Sequence, residues 1–148
     1  MKDEVTMIKT AIINAGYAVA MYIGINVELL GILFVVMVFD IVTGVSKSIR
    51  DDGKHSFTSH RLCIGIISKL MVLGVPILIA LGLKSVNQDG KGFIDGIIGV
   101  LTLSEVYSSI GNIYSFKTGK TVKEIDALSW ILGSFRAILE NIMKKPTE

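Results

Sequence analysis

Three ionisable side chains stand inside otherwise apolar stretches of the chain: Asp40, Lys69 and Glu105. A charge in hydrocarbon is costly, so each must be paired, face a partner helix or face water. The chemistry open to such residues is electrostatic. Lys69 is the natural counter-charge to Asp40 or to Glu105, and the sequence leaves that choice open. No other group has the spacing of a reactive site. His55 and His60 lie in a charged loop, KHSFTSHR, without a carboxylate cluster at metal-ligand spacing. Gly90, Gly92, Gly96 and Gly99 follow no strand, and the GKT at 119–121 lacks the upstream glycines of a phosphate loop. Cys63 is the single cysteine, and its apolar surroundings predict a small buried hydrophobe. No catalytic residue, cofactor site or metal site is expected.

The neighbours of the three charges are patterned. Asp40, Thr43, Gly44 and Lys47 stand at offsets of three, four and seven, which is one face of a helix. Gly65 precedes Lys69 by four. Asp95, Gly99, Thr102, Glu105, Ser109 and Asn112 again recur at threes and fours, with Ser108 flanking them. Small and polar residues of this kind glue helices together in membranes. They also line water in oligomeric pores. Asp40 needs one partner, which suits glue. The stripe through Glu105 exceeds what one ion pair requires, which suits contact with water or with other copies.

The elements that must position these residues are membrane helices. Of 148 residues, 51% are hydrophobic and only 19% are charged. Mean hydropathy is +0.61, and the apolar residues are clustered, not spread around polar faces. The net charge of +2 gives no reason to expect nucleic acid. At the N-terminus Asp3 and Glu4 interrupt the basic region, and no small-residue cleavage site follows Gly24, so no signal peptide is expected. Runs long enough to cross a bilayer fall at about 8–27, 29–46, 62–83 and 93–116. The expectation is an all-α integral membrane protein with four transmembrane helices, or three if the first run lies at the interface. The membrane domain is 1–116 and the tail is 117–148. With four spans and the N-terminus inside, every basic residue except Lys69, Lys84 and Lys91 is cytoplasmic, including the tail. In the tail, Thr121 and Glu124 have capping-box spacing, and Ile125, Leu128, Leu132, Phe135, Leu139 and Ile142 form an apolar face. That predicts an amphipathic cytoplasmic helix, lying on the membrane surface or pairing with its copies.

The runs FDIVTGVSKSI, GIISKL and LSEVYSSIGN, in that order, resemble the bacteriophage holin family that includes toxin-secretion and phage-lysis holins of Gram-positive bacteria. Asp40 with Gly44, Gly65 with Lys69, and Glu105 with Ser108 and Asn112 carry the resemblance, which covers roughly residues 29–116. It implies a multi-pass protein of the bacterial cytoplasmic membrane that assembles with itself and opens nonselective lesions. An endolysin or toxin would pass through without being bound directly. Asp40, Thr43, Gly44, Gly65, Lys69, Thr102, Glu105, Ser108, Ser109 and Asn112 are then candidate pore or assembly residues. A membrane scaffold without a pore, or a small ion-channel or transporter subunit, would use the same stripes differently.

Overall fold

In a computed structural model, which describes residues 2–52, 58–123 and 126–144, the described residues form five helices and no strand. They are α1 (Lys2–Tyr22), α2 (Val27–Asp52), α3 (Ser59–Ser85), α4 (Lys91–Thr118) and α5 (Ala127–Lys144). Their ends follow local chemistry. The turn after α1 places Gly24 at φ +80°, a conformation glycine adopts without strain. Asn26 then caps α2, its Oδ1 accepting from the amides of Glu28 at 3.0 Å and Leu29 at 3.3 Å. The segment around Asn26 is therefore a capped turn between two separate helices. Gly119, at φ +75°, ends α4 in the left-handed region. Pro76 lies inside α3 and is buried. The missing amide there is tolerable because neighbouring helices shield the freed carbonyl.

Three of these helices are long and apolar enough to cross a membrane: Val27–Arg50, Leu62–Ser85 and Lys91–Thr118. They form an up-down-up bundle. α2 and α4 are parallel, because Asp40 meets Ser109 and Asn112 while Arg50, further along, meets Ser115. α3 runs the other way and brings Leu83 against Gly90, where α4 begins. Leu33, Met37, Ile79, Ala80, Ile94, Ile97, Ile98 and Leu101 fill the space between them. The remaining apolar side chains point outward: Phe34, Val35 and Phe39 on α2, Met71 and Leu78 on α3, Leu103 and Ile110 on α4. That surface suits lipid.

Two findings change the expected layout. α2 continues past Ser46 to Asp52, so Asp40 stands at mid-helix, not near its inner end. Cys63 is exposed on the flank of α3, not buried among helices. α1 is exposed along nearly its whole length and meets the bundle at its C-terminal end, where the Lys84 ammonium sits 5.0 Å from the centre of the Tyr22 ring.

α5 starts later than the Thr121–Glu124 spacing suggests. Thr121 is not helical, Glu124 lies outside the described residues, and the cap is Asp126. Its Oδ2 accepts from the Ser129 hydroxyl at 2.6 Å and its Oδ1 from the Ser129 amide at 3.0 Å. Those two bonds hold the Asp126 carboxyl below its usual range. The helix then runs back along α4. Ala127 and Ile131 enter the core near the end of α4, and Ile138 and Ile142 reach Leu83, Gly90 and Phe93 at its beginning. The expected amphipathic helix is present, but the side docked on the bundle is Ala127, Ile131, Phe135 and Ile138, while Leu128, Leu132 and Leu139 of the expected apolar face are exposed.

Candidate functional site

The bundle brings the three charges together. α2 supplies Asp40, α3 Lys69 and α4 Glu105, each from the middle of its helix. Lys69 Nζ lies 2.9 Å from Asp40 Oδ2 and also donates to Glu105 Oε2. Lys69 therefore answers both carboxylates, and the choice between them dissolves. Asp40 and Glu105 are 7% and 8% exposed, so both are buried. The second oxygen of Asp40 is also occupied. Oδ1 accepts from Asn112 Nδ2 at 3.1 Å and from Ser109 Oγ at 3.4 Å. Glu105 has no such second set of donors among the described residues. It depends on Lys69.

Gly44 sets the approach of α4 to α2. A methyl group there would stand 3.5 Å from Asn112 Nδ2, so any larger side chain would push Asn112 off Asp40. Thr43 and Thr102 sit on the expected faces, but their hydroxyls bond their own helices. Thr43 donates to the Asp40 carbonyl at 3.0 Å and Thr102 to the Ile98 carbonyl at 2.8 Å. Neither joins the ion cluster.

Beside the cluster is a crevice of about 460 Å³ between α3, α4 and the start of α5. Ser108, Gly65, Ser68, Ser104, Ser115 and Lys123 line it, and Asp40, Lys69 and Glu105 form its floor. A second crevice, of about 250 Å³, reaches Lys69 between α2 and α3 past Gly44 and Gly65. A Cβ at Gly65 would meet nothing within 4 Å, so this glycine keeps the space beside Lys69 open. The larger space is polar and roomy enough for water. The two carboxylates are thus buried, and the cluster adjoins a polar crevice within one chain.

Sequence reasoning missed a second polar row on α4. Ser104, Ser108, Gly111 and Ser115 recur at four, three and four, one position over from the stripe it identified. It also missed Arg50, which donates to the Ser115 carbonyl at 2.8 Å and lies 5.7 Å from the centre of the Phe116 ring. His60 is exposed in the first turn of α3, and His55 lies outside the described residues. No group of three metal-ligating side chains occurs among the described residues.

An apolar exterior around a mid-bundle charge cluster defines an all-α integral membrane protein. A model of the bacteriophage holin family matches residues 17–128, which contain the whole bundle and every residue of the cluster. The chain belongs to that family. No curated protein and no solved structure matches it.

Proposed function

We propose that the protein is a holin in the working sense: it accumulates in the bacterial cytoplasmic membrane, assembles with copies of itself, and opens nonselective lesions through which an endolysin or toxin passes. The observation that carries this reading is the Asp40–Lys69–Glu105 cluster, closed within one bundle but adjoining a polar crevice. Polar faces satisfied inside one chain can be satisfied equally between chains. A modest free-energy difference then separates dispersed from assembled states. The protein performs no enzymatic step in this reading, and its cargo need not touch it.

The loop between α2 and α3 belongs on the cytoplasmic side, because Lys47, Arg50, Lys54 and Arg61 cluster around it. The same rule assigns the basic tail to the cytoplasm. The expected run over 8–27 is broken by the turn at Gly24, and α1 ends at Tyr22; α1 is the helix proposed as a fourth membrane segment, because its apolar surface finds no cover in the bundle.

Controlled expression in bacteria loaded with a small dye and a folded reporter protein tests the proposal. Sudden release of both after a delay is expected. Release of neither would support a scaffold without a pore. Release of the dye alone, through a discrete conductance, would support a channel.

A further inference from the structure

We propose that the mouth of the larger crevice binds a phosphate group, and that this phosphate is the headgroup of an anionic phospholipid. The first observation is Ser115. It is 2% exposed and lines the crevice, and its hydroxyl has no partner among the described residues. Buried hydroxyls are normally bonded, so a bare one facing a cavity points to something that accepts from it. The Ser115 carbonyl is already used, by Arg50 and by the Gly119 amide at 2.8 Å. Only the hydroxyl is free to serve a ligand.

The second observation is charge. Lys47 from α2 and Lys123 from the α4–α5 connection line the same crevice. Neither has an ion-pair partner among the described residues. Asp126 is the carboxylate at the mouth, and Ser129 already engages both of its oxygens. Two ammonium groups and a hydroxyl donor suit an oxyanion. The floor has the opposite balance, two carboxylates to one ammonium, and holds an anion at the mouth.

Depth selects a lipid. Ser115 follows Glu105 by ten residues on one helix. At about 1.5 Å per residue that is about 15 Å, half the roughly 30 Å thickness of a hydrocarbon core. With the cluster at mid-bilayer, Ser115 stands at headgroup level, where lysines extend to the interface. Leu128 at the start of α5 adds an apolar side chain to the same crevice. Basic pockets between membrane helices at this level bind anionic headgroups. The inference does not depend on pore opening.

The test uses the full chain in neutral detergent and reads ligand binding by native mass spectrometry and by thermal shift. The probes are phosphatidylglycerol, phosphatidylcholine and inorganic phosphate. Phosphatidylglycerol is expected to bind at least tenfold more tightly than phosphatidylcholine. Lys47→Gln with Lys123→Gln should abolish that preference. Ser115→Ala should weaken phosphatidylglycerol binding at least threefold without lowering lipid-free stability. The control pair Lys84→Gln with Lys91→Gln, at the other end of the bundle, should bind as the parent does. Equal losses from both pairs would reduce the effect to surface charge and overturn the site. Unchanged binding in the Ser115 and Lys47/Lys123 variants would overturn it too. Competition by millimolar inorganic phosphate would keep the oxyanion site and overturn the lipid as its occupant.

Discussion

Lys69 is the residue on which the core electrostatics turn. Removing one partner of a buried ion pair typically costs about 3–5 kcal/mol, because the other charge is left without compensation. Lys69 serves two carboxylates, so Lys69→Met strands both. They are not equally stranded. Asp40 keeps Ser109 and Asn112, whereas Glu105 loses its salt-bridge partner. Lys69→Met should therefore sharply reduce membrane accumulation, and Lys69→Met with Glu105→Leu should recover much of it. Lys69→Met with Asp40→Ala should recover less, since Glu105 stays uncompensated. Quantitative immunoblotting of membrane fractions reads all three. Equal recovery in the two double variants would show that Asp40 gains nothing from α4.

The same residues show what the sequence can disclose. Asp40, Lys69 and Glu105 were conspicuous because each is an ionisable group in an apolar run, and the offsets to Gly44 and Asn112 gave their faces. The three-way arrangement was not legible. It depends on the level at which three helices stop sliding past one another, and that level is set by shape, such as the bare surface of Gly44 against Asn112. Thr43 and Thr102 misled because a hydroxyl on the right face can still bond the carbonyl one turn back.

At the scale of elements, helix existence was legible from apolar run length. Helix ends were less so, because caps compete. Thr121 and Glu124 look like a capping box, yet Asp126 with Ser129 takes the cap. The course of α5 was hidden for another reason. An amphipathic helix fits a membrane surface and a helical bundle equally well, and only the packing of Ala127 and Ile131 distinguishes them. Docking carries Lys144 to the level of the α3–α4 loop, away from the side to which the basic residues assign the tail. Burial of Ala127 and Ile131 holds α5 in the docked position. Ile131→Asp should undock α5 and widen access to the larger crevice. In a Cys63→Ala background, a cysteine replacing Ser104 should then react several times faster with a water-soluble thiol reagent. An unchanged rate would show that α5 does not wall the crevice.

The whole molecule is a bundle whose closest helix pair, α2 with α4, is separated in sequence by all of α3. Synthesis therefore delivers Asp40 to the membrane well before its partners on α4. Asn112 follows it by 72 residues. At roughly 5–20 residues per second that interval is of the order of 4–14 s. Until then Asp40 has Lys69 of α3 as its counter-charge but lacks both of its α4 donors. A chain ending after Ser85 would retain Lys69 but lack Glu105, Ser109 and Asn112. Pulse-chase labelling should show it degraded several times faster than the full chain. Equal half-lives would mean Lys69 alone compensates Asp40. The parallel pairing of α2 with α4 thus acts during biogenesis as a completeness check: only a fully translated copy gives Asp40 the Ser109 and Asn112 donors that occupy its second oxygen.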